Sequence, residues 1–382
     1  MSTRERLERS TRIEDVAAAA GVSTATVSRV LRAPERVRPE KRERVLAAVR
    51  SLDYTPNEAA RVLREGASRM ILIDAPRRFS GAFFSAIIHA LDEALTARGY
   101  TAIIGSTDES REKARRLIDL LFARQIAGVV ALTGRAHDID GRTILDAGVP
   151  VVAICAEIAE GSVPSVLIDD ELWGRRQAEH LLRLGHRELL YVAGVAGNFN
   201  EVHRRRGFEL AAAEAGLSSA MLRYLPGEYT IESGVIAGRR FLDMKKRPSG
   251  IVCCSDDMAI GFLKAAATGG LICPRDFSIM GFDDIQYAAF TTPSLTTVRQ
   301  PRRAMGFAGA ELLLDVLSGK TRPLDYRLIM DCELIVRDST GPAPNAQRRA
   351  ASTKPLTPAL SADHSASSAS GKRSSTSRSP KR

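Results

Sequence analysis

One stretch near the N-terminus carries residue types suited to contacting DNA bases. Residues 21–31 read GVSTATVSRVL, and helical spacing separates an apolar stripe from small polar side chains. The polar set consists of Thr24, Ala25, Thr26, Ser28 and Arg29. Small side chains let a helix approach base edges, Arg29 can donate two hydrogen bonds to guanine, and the hydroxyls of Thr26 and Ser28 suit phosphate oxygens. The pattern favours a DNA-reading helix over the alternative, a plain surface helix of a small bundle.

Three short helices are predicted to position this surface. TRIE at 11–14 predicts a capping box, in which Thr11 accepts a hydrogen bond from the backbone N–H of Glu14. Gly21 predicts a left-handed end to the first helix, Ser23 a cap for the second, and Pro39 the first turn of the third. The expected core residues of the last two helices are Val27, Val30, Leu31, Val45, Leu46, Val49 and Leu52. A tight glycine turn between the first two helices is the helix-turn-helix pattern.

Composition excludes several classes of protein. The chain has 382 residues, which is too long for one ordinary core. It lacks the run of about eighteen apolar residues that a membrane span needs, and MSTRERLERSTRIED lacks the apolar region of a secretory signal. The five cysteines form no C-x-x-C pair, which argues against a metal site or a disulfide framework. We therefore expect a cytoplasmic, nucleoid-associated protein without a cofactor or a bound metal.

Positive charge is concentrated at the two ends of the chain. The formal net charge is +10; residues 1–66 carry 14 Lys or Arg against 10 Asp or Glu, and residues 339–382 carry 8 against 1. Basic ends indicate a polyanionic partner, although basic tails also serve solubility alone. The last segment is rich in Ser, Ala and Pro, so we expect a disordered tail, with a non-specific DNA-binding arm as the second interpretation.

From residue 70 onward, apolar runs of strand length alternate with amphipathic helical stretches. Examples are MILID at 70–74, AGVVALT at 127–133 and GIVCCS at 250–255. Such alternation predicts parallel sheets covered by helices on both faces. The number of runs exceeds one simple sheet, so we expect two α/β lobes. Ligands of such sheets bind beyond the carboxyl ends of the strands, and a cleft between lobes is a further reason to place a small molecule there.

Taken together, these features resemble the LacI/GalR family of bacterial transcription regulators. The resemblance covers residues 11–338 and rests above all on RIEDVAAAAGVSTATVSRVL and RPEKRERVLAAVRSLDYTPNEAARVL, followed by GIVCCSDDMAIG, IMGFDD and TTPSLTTVRQP. It implies an all-α helix-turn-helix domain, a hinge helix and a two-lobed α/β sensor of the type I periplasmic-binding-protein-like class. The corresponding boundaries are 11–56, 57–66 and 67–338, flanked by disordered ends at 1–10 and 339–382.

The resemblance assigns roles at the DNA. Thr24, Ala25 and Arg29 match positions that read bases, and Tyr54 matches an aromatic that lies against the duplex. In the hinge helix, Leu63 matches a leucine that wedges into the minor groove, which kinks the DNA. The DNA-contacting residues of this hinge are Asn57, Ala60 and Leu63. One half-site offers few contacts, so a homodimer on a near-palindromic double-stranded operator follows, and the lack of a leucine-heptad segment after residue 338 favours a dimer over a tetramer.

A second set of residues matches the effector cleft of that family. Phe83 and Phe84 match aromatics that pack on the ligand, and Arg204 and Asp283 match charged groups that bind its hydroxyls. The remaining candidates are Asn198, Asn200 and Ser255. Aromatic faces opposite an Arg and an Asp suit a polyhydroxylated ring, such as a sugar or a sugar acid. Without the resemblance, the two phenylalanines would be assigned to the core and Arg204 to the surface.

Several positions depart from the family pattern. Arg38 replaces a capping serine of the third helix, Ser255 an asparagine and Cys155 an aspartate. PRRFSG at 76–81 adds Arg77 and Arg78 near the cleft, which favours an acidic or phosphorylated sugar if these arginines are not simply solvated.

Function follows from this combination of parts. The sequence predicts a DNA-binding transcriptional regulator, most simply a repressor, whose affinity for its operator depends on a bound sugar or sugar derivative. The alternative is a two-lobed sugar-binding module without a regulatory role at DNA; the helix-turn-helix pattern argues against it. An enzyme is disfavoured because G-x-S-x-G, G-x-x-x-x-G-K-[ST], H-E-x-x-H and a G-x-G-x-x-G after the first strand of the sensor region are all missing.

Overall fold

The N-terminal helices fold around a small apolar core of their own. The computed structural model describes residues 11–54, 68–77, 81–158, 163–320 and 322–344. Its first three helices are α1 (Ile13–Ala20), α2 (Thr24–Arg32) and α3 (Pro39–Ser51), with a 3₁₀ turn at Pro34–Arg36. Val16, Val27, Val30 and Val45 are at most 1% exposed at the centre of this core. The predicted apolar stripe of α2 is therefore confirmed.

Local hydrogen bonds set the ends of these helices. Gly21 ends α1 in the left-handed conformation with φ 60°, and the Ser23 hydroxyl accepts from the backbone N–H of Thr26 at 3.3 Å, both as predicted. The predicted capping box at Thr11 is wrong. The Thr11 hydroxyl instead donates to the carbonyl of Leu52 at 3.0 Å, and the Asp15 carboxylate accepts from the N–H of Arg12 at 2.8 Å. Because Asp15 lies three residues after Arg12 and binds its N–H, Arg12 rather than Thr11 is the N-cap.

Lobe 1 is built on a six-stranded parallel sheet. Its first elements are β1 (Met70–Asp74), α4 (Gly81–Thr96), β2 (Thr101–Gly105), α5 (Arg111–Phe122), β3 (Gly128–Ala131), β4 (Val151–Ile154) and β5 (Ser165–Ile168). The chain returns later to add α10 (Arg302–Leu317) and β11 (Arg327–Met330). The strand order is β11-β5-β4-β3-β1-β2. Strands β3, β4 and β5 are buried throughout, because helices cover both faces of a parallel sheet.

Lobe 2 repeats this architecture with four parallel strands. Its elements are α6 (Asp170–Arg183), β6 (Leu189–Val192), α7 (Phe199–Glu214), β7 (Leu222–Leu225), α8 (Ile231–Leu242), β8 (Gly250–Cys253), α9 (Asp256–Thr268) and β9 (Ser278–Met280). The strand order is β7-β6-β8-β9. The antiparallel pair β10 (Thr297–Arg299) and β12 (Glu333–Ile335) lies where the chain passes between the lobes. The predicted two-lobed α/β fold is confirmed.

The folded chain continues beyond residue 338, where composition predicted that it would end. Ser339 is fully buried, and its hydroxyl donates to the carbonyl of Ile279 at 2.7 Å. The N–H of Ala343 donates to the carbonyl of Leu184 at 2.9 Å. Polar and backbone groups, rather than an apolar pattern, hold this segment on lobe 2, so hydropathy gave no sign of it. Among the described residues, no helix has the length and apolar character needed to cross a bilayer.

Two glycines allow α6 and α7 to pack at unusually short distance. A Cβ on Gly207 would lie 1.9 Å from the carbonyl oxygen of Glu171, and a Cβ on Gly174 would lie 2.2 Å from that of Arg204. Neither contact can be relieved by a side-chain rotation, because the neighbouring atom is backbone in both cases. The two helices therefore approach as closely as their main chains permit.

We predict that Gly207→Ala destabilises the protein by about 1–3 kcal/mol, because the added methyl group forces α6 and α7 apart. Urea unfolding followed by circular dichroism measures the change. The matched control is Gly81→Ala in the first turn of α4, where an added Cβ meets nothing within 4 Å. Equal stability of the two variants would show that the helix crossing tolerates the extra volume.

Candidate functional site

A cavity of about 550 Å³ lies between the two lobes and is lined by both of them. It contains all seven residues that the sequence predicted for effector binding: Phe83, Phe84, Asn198, Asn200, Arg204, Ser255 and Asp283. They come from distant parts of the chain and meet because the carboxyl ends of the parallel strands of each lobe open into the same cleft. The structure therefore brings the whole predicted set together in one cavity.

The base of the cleft is held by a buried ion pair between α6 and α7. Arg204 donates from Nε to Oδ1 of Asp170 at 2.7 Å and from Nη1 to the carbonyl of Cys254 at 2.7 Å. Its guanidinium carbon lies 3.5 Å from the ring centroid of Phe282. Burial opposes the charge on Arg204, but Asp170, Asp283 and further negative groups together outweigh it, so the pKa of Arg204 is raised and the side chain stays cationic. Its remaining N–H groups are available to a ligand.

Asp170 was not found by sequence reasoning. The signal was present, because SVLIDD places two carboxylates directly after a predicted strand. Asp169 caps α6, whereas Asp170 turns inward and is 3% exposed. Its Oδ2 accepts from Nδ2 of Asn200 at 2.9 Å. The amide of Asn200 also donates to the carbonyl of Cys155 at 2.6 Å, which leaves its Oδ1 as the acceptor for a ligand.

Asn198 has a structural task in addition to its place in the cavity wall. Its Oδ1 caps α7 by accepting from the N–H groups of Asn200 and Glu201, and it also accepts from the hydroxyl of Tyr229 at 3.1 Å. A Cβ on Gly194 would lie 2.2 Å from Cζ of Tyr229, so that glycine makes room for the ring. Asn198 therefore positions Tyr229, a cavity-lining aromatic that the sequence analysis missed.

Asp283 contributes a buried carboxylate where the chain leaves lobe 2. It is 6% exposed, and its Oδ1 accepts from Nε2 of Gln300 at 2.8 Å. Burial raises the pKa of Asp283 to about 7, and the positive charge of Arg204 opposes this rise. Ser255 lies nearby as the cap of α9; its Oγ accepts from the N–H of Met258 at 3.3 Å, and its hydroxyl proton stays available.

Aromatic side chains from both lobes supply flat apolar surface. Phe83 and Phe84 begin α4, with ring centroids 4.8 Å apart and planes at 81°, an edge-to-face arrangement. Both phenylalanines line the cavity. Phe84 is half-buried, whereas Phe83 is buried and also packs in the core of lobe 1. Together with Tyr229 on lobe 2, they can enclose the C–H faces of a ring whose hydroxyls meet Arg204 and Asp283.

The lobe 1 wall is organised by a buried carboxylate at the end of β1. Asp74 is fully buried and accepts from the backbone N–H and the hydroxyl of Thr107, each at 2.8 Å. The Thr133 hydroxyl lies 3.5 Å from Asp74 and donates to the carbonyl of Arg135 at 2.9 Å. These bonds fix the loops that follow β2 and β3. The loop after β3 brings Arg135 and His137 to the cavity, two residues that sequence reasoning did not select.

Five of the residues that the sequence predicts for DNA contact lie on α2. Thr24, Ala25 and Arg29 are exposed, whereas Thr26 and Ser28 are half-buried. The Thr26 hydroxyl lies 3.0 Å from that of Ser23, so it supports the start of the helix. Tyr54 packs half-buried against the core of the three helices. The hinge residues Asn57, Ala60 and Leu63 lie outside the described residues.

Neither a metal site nor a disulfide is found in the part of the chain that the structure describes. No group of three or more His, Cys, Asp or Glu residues is arranged there to hold a metal ion. All five cysteines are free thiols. Burial raises the pKa of Cys254 to about 11, so this thiol, which lies 2.9 Å from the Tyr191 hydroxyl, stays protonated at neutral pH.

Comparisons with known proteins agree on both parts of the chain. Residues 12–57 match the family model described as bacterial regulatory proteins, lacI family, and residues 178–340 match the periplasmic binding protein-like domain. The HTH-type transcriptional repressor CytR of Escherichia coli strain K12 is 34% identical over 333 residues, which cover 87% of this chain and 97% of CytR.

Solved structures show the same similarity. A transcriptional regulator CelR–cellobiose complex is 30% identical with a TM-score of 0.65 and covers 86% of this chain and 99% of its own. A Lac repressor dimer bound to operator and the anti-inducer ONPF is 25% identical with a TM-score of 0.75, covering 87% of this chain and 100% of its own.

We predict that Asp283→Asn removes a pH dependence of stability. An unfolded Asp ionises near pH 4, whereas Asp283 in the folded protein, close to Arg204, Asp256, Asp257 and Arg302, ionises only near pH 7. The folded state therefore holds the proton more tightly, and the contribution of Asp283 to stability falls as pH rises from about 4 to about 7. Urea unfolding across this range should show the variant gaining stability relative to the natural chain, then levelling off above about pH 7.

The matched control for this series is Asp325→Asn, which changes an exposed carboxylate. The change of its stability difference with pH serves as the background of the series. A stability difference for Asp283→Asn that does not exceed this background would mean that Asp283 ionises normally in the folded protein.

Proposed function

The chain belongs to the LacI family of bacterial regulatory proteins, and from this premise we propose that it represses transcription by binding an operator under the control of a polyhydroxylated effector. The observation that supports this proposal is the composition of the cleft. Arg204, which is held by Asp170, and the hydrogen-bond acceptor Asp283 both line it, and its walls are partly aromatic. Charged hydrogen-bonding groups beside flat apolar surface recognise a sugar or a sugar derivative such as a nucleoside. The CelR–cellobiose complex, whose ligand is a sugar, supports this choice.

DNA recognition is proposed for the exposed face of α2. Thr24, Ala25 and Arg29 project from a helix whose opposite side is buried in the core. A helix presented in this way can enter the major groove, where Arg29 reads a guanine and the small side chains permit close approach. The Lac repressor structure, solved with operator bound, supports the assignment. The protein would then act in the cytoplasm, at the nucleoid.

A homodimer is proposed because lobe 2 exposes apolar side chains around one surface concavity. Ile231, Ile236 and Tyr287 line it and are 42%, 49% and 53% exposed. Burial of such a cluster against a second copy would place two helix-turn-helix domains on the two halves of a near-palindromic operator. The similar Lac repressor structure is a dimer, which supports a second copy of the chain as the partner of this surface.

Control by the effector requires that the ligand bind the two states of the protein with different affinity. A coupling of about 1–3 kcal/mol is typical of such systems. The cleft is suited to it because one ligand would contact Arg204 on lobe 2 and Phe83 on lobe 1 at once. A change in the angle between the lobes would alter the spacing of the two DNA-binding domains in the dimer. The rival interpretation, a sugar-binding module without a role at DNA, leaves the exposed face of α2 unexplained.

We predict that Arg29→Ala relaxes the preference for one base pair in each half-site, at a cost of about 1–3 kcal/mol on the preferred sequence. Selection of binding sequences from a random pool, followed by titration of the selected duplex, measures both effects. Arg50→Ala, which removes an exposed cation of α3, is the matched control and should weaken binding equally on all sequences or not at all. Uniform weakening by Arg29→Ala would make Arg29 a phosphate contact, and a lone half-site that binds as tightly as the palindrome would contradict the dimer.

The effector hypothesis is tested by Asp283→Asn in an operator-binding assay. A thermal-shift panel of sugars, sugar acids and nucleosides first identifies a stabilising compound. That compound should change the affinity of the natural chain for its operator, and the variant should keep its operator affinity but lose most of the response, because an amide cannot accept the same charged hydrogen bonds. A compound that binds the natural chain and the variant equally well would place the effector site elsewhere.

A further inference from the structure

The lobe 1 side of the cavity carries three basic side chains. Arg77 follows β1, and Arg135 and His137 follow β3. All three stand beyond the carboxyl ends of their strands, where the N–H of Arg77 donates to Asp108 and the hydroxyl of Thr133 donates to the carbonyl of Arg135. They are therefore placed by the fold at the same end of the sheet as the cleft, and they lie on the opposite lobe from Arg204.

The guanidinium groups of Arg77 and Arg135 differ from those of several exposed arginines on this lobe, which are neutralised by ion pairs. Arg111 and Arg115 share the carboxylate of Asp140, and Arg327 pairs with Glu157. By contrast, no described carboxylate forms an ion pair with the guanidinium of Arg77 or Arg135. Asp108, the acidic residue of this wall, accepts instead from the backbone N–H of Arg77 at 2.6 Å and from the Ser106 hydroxyl.

Arg135 also faces the other lobe. Its Nη2 lies 3.8 Å from the position that a Cβ on Gly197 would occupy. Gly197 directly precedes Asn198, the cap of α7, so the guanidinium stands near the positive end of that helix. Two positive groups that face each other across a cleft attract an anion between them, and an anion so placed would contact both lobes.

We propose that the effector is anionic: a polyhydroxylated ring that carries a phosphate or carboxylate, seated on Arg77, Arg135 and His137. This inference rests on the proposed function and names the ligand class of the same cleft. The ring lies between the aromatic side chains, with its hydroxyls at Arg204 and Asp283. The oxyanion lies at the lobe 1 wall, where Arg135 joins it to the Gly197 loop, so the charged group itself favours closure of the lobes. The same cavity also contains the carboxylate of Glu228, which comes from lobe 2.

The test uses matched pairs of neutral and anionic compounds on the full-length protein. Ribose with ribose 5-phosphate, glucose with glucose 6-phosphate, and galactose with galacturonate are compared by thermal shift and then by calorimetry. At least one anionic member should bind about tenfold or more tightly than its neutral parent. The pair that responds tells a phosphate from a carboxylate.

The double variant R77A/R135A locates the effect. It should remove the advantage of the anion, with a loss of about tenfold or more, and leave the affinity for the neutral parent within about twofold. R98A is the matched control: it removes an exposed arginine of lobe 1 beyond the far end of α4 and should change neither affinity. D283N should also weaken the anionic compound, whereas R29A, on the helix-turn-helix domain, should not.

Three outcomes overturn the proposal: a neutral parent that binds as tightly as its anion, an anion whose affinity survives in R77A/R135A, or a panel in which no anion binds. In each of these cases, the operator-binding assay tests the proposed function independently of the ligand charge. A neutral ligand that changes operator affinity in the natural chain but not in D283N supports regulation by an uncharged effector. Operator binding that no cleft ligand alters contradicts the proposed function itself.

Discussion

The cleft depends on one buried ion pair. Arg204 and Asp170 are at most 4% exposed, and two buried charges are tolerated only when each satisfies the other and the remaining hydrogen bonds are made. Here Asn200 and the carbonyl of Cys254 complete the set. The close approach of α6 and α7 at their glycines brings the two helices near enough for the pair to form. A cation is thereby fixed at the base of the cavity with N–H groups left over, which is the arrangement that a hydroxylated ligand requires.

The lobe 1 wall of the cavity also depends on a buried carboxylate, that of Asp74. Asp74 is a buried carboxylate without an arginine, and burial raises its pKa while the hydrogen bonds from Thr107 lower it. Asp74 fixes the loop after β2 through Thr107, and the Thr133 hydroxyl beside it holds the loop after β3 through the carbonyl of Arg135. Asp74 ends β1 and Asp170 follows β5, so both buried acids lie at the carboxyl end of the lobe 1 sheet and hold groups that line the cavity.

The sequence predicted the architecture well because the signals for it are local. Apolar runs such as MILID and GIVCCS fall on observed strands, and Gly21, Ser23 and Pro39 mark helix ends where the structure has them. Short strands with mixed burial, such as β7, were missed because alternation over four residues is a weak pattern. The site was predicted only where the family resemblance supplied positions. Tyr229, Gln300, Arg135 and His137 escaped because their presence in the cleft depends on loop geometry, which a sequence pattern does not encode.

The same contacts determine how a ligand can act at a distance. In lobe 2, α8 and α9 approach as closely as α6 and α7, since a Cβ on Gly261 would lie 2.0 Å from the carbonyl oxygen of Ile231. Helices packed main chain to main chain cannot slide without a clash, so lobe 2 moves as a unit. The segments between the lobes are held differently, by Asp284, whose carboxylate pairs with Arg299 on β10 and with Arg337 after β12, each at 2.7 Å. Ion pairs of partly exposed side chains can lengthen and re-form at low cost. Under the proposed function, we expect a ligand that draws the lobes together to rotate rigid bodies about this charged junction, so that its binding energy appears as a change in lobe angle rather than as local distortion.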